Sequence, residues 1–406
     1  MDVVVARGAG LDVHKKTVVA CVHTPSIRET RTFGTMTGDL KELGRWLQAC
    51  EVTHVAMEST GPYWWPVYNA LEEDLDFELV VTNAQHIKRV PGRKTDVTDA
   101  AWLCDLLRHG LAPASFIPDK AQRERRELIR YRKKVIQERA SEVNRVQKTL
   151  ESANIKLAAV ASDVLGVSGR QMLEAMVAGI TDAKVLAAMA KGRLRDKQDA
   201  LERALEGMVG SHHRFILREQ LRHIDELDAR IERLSQEIEA RTRPFEEALK
   251  LLDTIPGVGR ATAEMIVAEI GVDMSRFPTA DHLASWAGLC PGNNESAGKR
   301  KSGKTRKGDG WLREALVEAA WAAARTKGTY LNAQYHRLAG RRGKKRALVA
   351  VAHSIIIAIW HMLSDGEAYK DLGYGYFDQR DKDALARRMA RRLEGLGYKV
   401  TIEAVA

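Results

Sequence analysis

Ile129, Ile136, Val143 and Leu150 recur every seven residues, and so do Leu217, Ile224, Ile231 and Ile238, with Leu227 and Leu234 three positions on from two of these. A seven-residue apolar repeat keeps one face of a helix in register with a neighbour, so these two stretches are committed to long helices that offer seams to each other or to another subunit. The chain before Asp119 follows a different period. Apolar stretches at GLDVH, TVVACVH, RTFGT, THVAMES and FELVVTN read as strands, and segments near 38–50, 63–73 and 96–109 read as helices. Early adjacent strands followed by strand–helix alternation predict an α/β layer with a mixed sheet. The fold class expected is therefore α/β plus all-α, with domains at 1–115, 119–245, 246–364 and a basic tail at 365–406.

Charge divides along the same line. Residues 1–115 hold 12 basic and 15 acidic side chains, whereas the whole chain of 406 residues is +10, so the remainder carries +13. A basic second half facing a near-neutral first domain points to a polyanionic partner, most simply nucleic acid. The four cysteines, Cys21, Cys50, Cys104 and Cys290, lack paired metal-ligand spacing and read as buried free thiols of a reducing cytoplasm. The first ten residues carry no signal-peptide pattern, and the apolar run 347–363 contains His353, Ser354 and His361 and reads as a core helix rather than a membrane span.

Four acids stand out in the first domain. Asp12 interrupts an apolar strand pattern, Glu58 ends the strand THVAMES, and KTDVTDAAWLCDLL places Asp96 and Asp99 three residues apart, on one face of a helix. Singly, each acid reads as an ordinary strand-end or helix-capping residue. Together, a strand Asp, a strand-end Glu and a D-x-x-D helix in an α/β frame are the order expected when carboxylates converge on Mg²⁺, a hard cation that takes oxygen ligands. The layout is similar to the RNase H-like, RuvC-type nuclease arrangement of four acids known as DEDD. Asp105 is a rival for the last position, but its helical phase turns it away from Asp96 and Asp99.

The third domain contains two further signals. LLDTIPGVGRATAEMIVAEIG reads as a helix-hairpin-helix element, in which Gly257 and Gly259 leave backbone amides open to a nucleic-acid phosphate. After GLCP comes a loop dense in Lys299, Arg300, Lys301, Lys304, Arg306 and Lys307, which reads as a phosphate-binding or simply solvated segment. Within it Ser296 lies among cations that favour an ionised, attacking hydroxyl.

The motifs GLDVHKKTVV, AMESTGPYWW, KTDVTDA, IPGVGRATA and FPTADHLASWAGLCPGNNESAGKRKSGKTRKGDGWLREAL, in this order, resemble the IS-one-ten and IS-eleven-eleven group of insertion-sequence transposases. The resemblance implies a RuvC-like domain supplying Asp12, Glu58, Asp96 and Asp99 as catalytic metal ligands, and a transposase domain whose Ser296 attacks DNA. Ala297 before Gly298 departs from the family pattern, and Ser302, also followed by Gly-Lys, shadows the same motif. The same resemblance implies a recombinase with Mg²⁺ as cofactor, acting on donor and target DNA, guided by a structured non-coding bridge RNA, and working as a dimer or tetramer away from any membrane. Two other readings fit the residues: a junction-resolving nuclease that uses the acids with water, and a non-enzymatic nucleic-acid scaffold.

Overall fold

The computed structural model describes residues 2–59, 61–73, 76–83, 99–292, 294–296, 298–305, 307–380 and 382–402. The chain forms two compact units, residues 1–118 and 119–406. In the first unit five strands, β1 (Gly8–Val13), β2 (Thr17–His23), β3 (Arg28–Gly34), β4 (His54–Glu58) and β5 (Glu78–Thr82), make a mixed sheet in the order β3-β2-β1-β4-β5. The β1–β2 and β2–β3 pairs are antiparallel, while β1–β4 and β4–β5 are parallel. All five strands expected from the alternating pattern are present.

Alternation along the strands sorts their side chains onto two faces. Ala9, Leu11, Val55 and Met57 point to one face and bury Leu40, Leu43 and Leu47 of α1 (Thr37–Ala49) with Val67 and Leu71 of α2 (Trp64–Glu73). On the opposite face Ala56 and Val80 meet Leu103, Leu106 and Leu107 of α3 (Asp99–Arg108). This helix lies very close to β1, because a Cβ on Gly10 would stand 2.2 Å from the Ala100 carbonyl oxygen and 2.4 Å from the Cys104 nitrogen. Gly10→Ala must therefore push α3 off the sheet, and we expect a loss of about 1–3 kcal/mol or more, read as a lower unfolding midpoint of the first unit. An unchanged midpoint would mean that α3 does not rest on Gly10.

In the second unit Asp119 caps α4 (Lys120–Ser152), accepting from the Gln122 amide at 2.7 Å. α4 packs along α9 (Ser211–Thr242), with α5 (Leu157–Val160), α6 (Val167–Ala178), α7 (Ala183–Ala187) and α8 (Gln198–Leu205) between them in sequence. Leu150 shares a core with Leu217 at one end, while Ile129 shares another with Ile238 at the far end, so the two helices run antiparallel. The short helices close the first of these cores with Met172, Leu173, Leu186 and Leu201. The seven-residue seam is not apolar throughout. Ile136 is 44% exposed, and near it the helices are joined by Arg139 Nη2, which donates to Asp228 Oδ2 at 3.0 Å.

The remaining elements are α10 (Glu246–Asp253), α11 (Arg260–Ile270), α12 (Ala280–Trp286), β6 (Asn294–Ser296), β7 (Lys299–Ser302), α13 (Gly310–Ala323), α14 (Tyr330–Arg342), α15 (Lys344–Asp365), α16 (Tyr376–Arg380) and α17 (Lys382–Glu394). α15 is longer than its apolar run, and its 22 residues are long and apolar enough to cross a membrane by length and composition. Val351, Ile355, Ile359 and Met362 nevertheless form a buried stripe at helical spacing, and the helix packs on α12, α13 and α14. The tail forms a helix, α17, which buries none of its side chains. All four cysteines are free thiols, three of them buried.

Candidate active site

The first group of candidate residues gathers at one edge of the sheet. Leu11 is in register with Met57, so Asp12 and Glu58 are the next residues at the carboxyl ends of two neighbouring parallel strands. They share the face of Gly10 and Ala56, the one covered by α3. α3 begins at Asp99, and the carbonyl of the following residue, Ala100, sits over Gly10, two positions before Asp12. Sheet register and helix placement thus bring Asp12, Glu58 and Asp99 to the same corner. Asp96 lies outside the described residues.

Asp12 is not sunk in the sheet, as its apolar neighbours in sequence suggest. Its side chain is 28% exposed, and its Oδ2 lies 3.2 Å from His14 Nε2. Beside Glu58, in register with it on β5, Thr82 is fully buried, and its Oγ1 has no hydrogen-bond partner among the described residues. An orphaned hydroxyl at that depth costs about 1–3 kcal/mol unless something polar meets it. Among the described residues no three His, Cys, Asp or Glu side chains are grouped closely enough to hold a metal. The chemistry of the corner still suits one, since carboxylates and a hydroxyl are the oxygen donors a hard divalent cation takes. Asp105 faces elsewhere: its carboxylate lies 3.4 Å from His23 Nδ1 and 3.6 Å from Arg28 Nη2.

Ser296 is positioned by a different device. What reads in sequence as a basic loop is a β-hairpin, with Ser296 in register with Lys299 and Gly298 at φ +72 in the turn. Positive φ strains any residue with a Cβ, which explains a glycine there. The hairpin's neck is closed by a bridge between Pro291 and Thr305 and by the Gly292 amide donating to the Lys304 carbonyl at 2.9 Å. Lys299, Lys304 and Lys307 are exposed, Arg300 and Lys301 belong to β7, and Arg306 lies outside the described residues.

Below the neck the chain is fastened by charge. The Asp309 amide donates to the Trp286 carbonyl at 3.1 Å, and its Oδ1 caps α13 by accepting from the Leu312 amide at 2.7 Å. Asp309 Oδ2 takes Arg130 Nη2 of α4 at 3.2 Å, and Arg130 grips both oxygens of Glu269 at 2.7 Å each. Arg126 Nε adds a third contact at 3.1 Å to Glu269, whose side chain is 0% exposed. Burial pushes the Glu269 carboxyl above its ordinary range, and the Arg130 hydrogen bonds pull it back. Sequence reasoning missed Arg126, Arg130, Glu269 and Asp309. Arg130 is 139 residues from Glu269 and 179 from Asp309, so no local pattern announces their meeting.

The two glycines of IPGVG have different surroundings. A Cβ on Gly257, which has φ +90, would lie 2.3 Å from the Ala319 carbonyl oxygen, so this residue is pressed against α13. Gly259, at the N-cap of α11, has nothing within 4 Å on that side and leaves the helix start approachable.

Comparison with known proteins covers both regions. Residues 9–155, which include Asp12, Glu58, Asp96 and Asp99, match the sequence model of the DEDD transposases of the IS110 type. Residues 249–336, which include Ser296, match a second model described as "Transposase IS116/IS110/IS902 family". A probable family 20 transposase of Pseudomonas aeruginosa is 31% identical over 38% of this chain and 46% of its own length, so that alignment spans less than half of the relative. A putative transposase of Sinorhizobium fredii is 24% identical over 81% of this chain and 78% of its own. A pilin gene-inverting protein of Moraxella bovis is 30% identical over 27% of this chain and 34% of its own.

Proposed function

The chain belongs to the IS110 family of insertion-sequence transposases, and from that premise we propose that it cuts and rejoins DNA with the four acids Asp12, Glu58, Asp96 and Asp99 and the hydroxyl of Ser296. The observation that carries the reading is the placement of Asp12 and Glu58 at the carboxyl ends of the neighbouring strands β1 and β4, on the face where α3 starts at Asp99. In this reading the mixed sheet belongs to an RNase H-like domain, the antiparallel α4–α9 pair would be the coiled-coil hairpin, and α10–IPGVG–α11 would be the helix-hairpin-helix.

With Asp96, the acids would hold Mg²⁺, which when bound supplies positive charge to the attacking and leaving oxygens of the phosphodiester. Ser296 Oγ would form a bond to phosphorus as one sugar oxygen leaves, and a sugar hydroxyl of the second strand would reverse that exchange to complete the join. Lys299, across the strand pair from Ser296, and the cations of the hairpin favour the ionised serine and neutralise charge gathering on the phosphate. Gene inversion by a relative favours joining over cutting alone, because a segment cannot be inverted without new strand links. Structured bridge RNA, pairing with donor and target DNA, would supply sequence choice and leave backbone contacts to the basic surface of the protein.

The test is strand joining by the full-length protein, with the DNA bordering its own gene, the adjacent non-coding transcript and Mg²⁺. Recombined junctions are expected with the wild type and not with Asp12→Asn. Junctions at the wild-type level from Asp12→Asn would remove the acids from the chemistry.

A further inference from the structure

The most concentrated run of charge in the second unit involves none of the candidate site residues described above. Between Glu318 and Asp365 the chain has no acidic residue and eight Lys or Arg. Five of these fall within Arg341–Arg346, where α14 ends, Gly343 turns at φ +83 and α15 begins. All five are exposed, and none is in an ion pair among the described residues. The segment follows the last family-matched residue, 336, and was not among the candidate sites read from sequence.

Such an arrangement costs stability in the protein alone. Like charges this close lie well within the ~8 Å over which physiological salt screens them. Lys344, Lys345 and Arg346 also occupy the first turn of α15, where the helix dipole already places positive charge and acids are the favoured residues. No side chain caps that helix start. An anion would relieve all three costs, by pairing with the ammonium and guanidinium groups and by accepting from the free amides. One turn before Arg341, Arg337 lies 5.0 Å over the Phe377 ring and, with Arg380, lines a cavity of about 250 Å³, which extends the cationic surface along α14.

We propose that Arg341, Arg342, Lys344, Lys345 and Arg346 form a second nucleic-acid site, separate from the serine hairpin, which holds the sugar-phosphate backbone without reading bases. A backbone supplies several phosphates in a row and so matches five adjacent cations, where a single small anion would meet only one or two of them. The proposal takes from the transposase reading only the class of ligand. Its test needs no strand cleavage, so the two can fail separately.

Full-length wild type is compared with Arg341→Gln/Lys344→Gln/Lys345→Gln and with a charge-matched control, Lys191→Gln/Arg193→Gln/Arg195→Gln, whose side chains are also exposed. Affinity for a labelled DNA duplex and for a labelled hairpin RNA is measured against salt concentration. The slope of log K against log salt should fall by about 0.9 per lost phosphate contact on duplex DNA, roughly 2–3 for the triple variant, and stay unchanged in the control. A drop on duplex alone assigns the site to DNA, a drop on RNA alone assigns it to RNA, and either supports the proposal. Equal slopes for variant and wild type on both probes would overturn it. So would a drop no larger than the control's, or wild-type binding to anionic lipid vesicles but to neither nucleic acid.

Discussion

Ser296→Ala should lower strand joining by about three orders of magnitude or more, the scale seen when an enzyme loses its covalent nucleophile, and should abolish any covalent protein–DNA species. The wild type, stopped during reaction and digested with protease, should leave a peptide-tagged DNA end that the variant lacks. Asp12→Ala should lose joining as well, for a different reason, since the acid corner and the serine hairpin belong to different units of the chain. Mixing the two inactive proteins then becomes informative. If the acids of one subunit serve the serine of another, a mixed assembly holds one site with both groups intact and joining partly returns. A mixture that stays inactive, while both variants assemble and bind nucleic acid normally, would sink the shared-site idea. A wild type that never yields the tagged end would remove Ser296 as nucleophile.

Glu269→Ala should destabilise the second unit by about 3–5 kcal/mol, because it removes the buried carboxylate that the Arg126 and Arg130 guanidiniums share and leaves Asp309 alone to face Arg130. Glu367→Ala, which breaks an ion pair exposed on both sides, should cost less than about 1 kcal/mol. Both are read from the denaturant midpoint of the transition that changes the fluorescence of Trp286 and Trp311, which lie at 5.8 Å and 5.6 Å from these two guanidinium carbons. Equal midpoint shifts would mean that the buried cluster does not hold the unit together. Should Glu269→Ala prove too unstable to purify, Asp309→Asn tests the same fastening more gently. It keeps an oxygen to cap α13 while removing the charge that faces Arg130. It should slow joining while leaving the salt dependence of nucleic-acid binding as in the wild type.

The strands were legible because a half-buried sheet imposes a two-residue period, and Asp12 and Glu58 were noticeable because one interrupts such a pattern and the other ends one. Their proximity was not legible. It depends on β1 pairing in parallel with β4 across the intervening β2, β3 and α1, which no local period encodes. For the seam of α4 and α9, the repeat located the helices, left open whether they pack on each other or on another subunit, and overstated how apolar the middle is. Ile136 keeps the repeat yet faces solvent, since burial depends on what the neighbouring helix brings opposite it. In the segment around Ser296 the many cations and glycines resemble an irregular loop. The hairpin comes from backbone pairing that composition does not record. The cationic turn at Arg341–Arg346 was visible in the letters, and its importance emerged only when all five side chains proved exposed and without acidic partners among the described residues.

α4 has two jobs along one rod. Near Ile129 and Arg130 it forms part of the platform under the serine hairpin, and some 20 residues later, at Val146 and Leu150, it enters the separate core of the short helices. One residue inserted between these regions would turn everything beyond it by about 100° and lengthen the rod by about 1.5 Å. The platform would keep its contacts while the far core lost its facing side chains. Lineages that change the length of this arm are therefore expected to do so in multiples of about seven residues, and in α4 and α9 together. Alignments of relatives with longer or shorter arms should show paired gaps of that size in the two helices, rather than scattered single-residue changes.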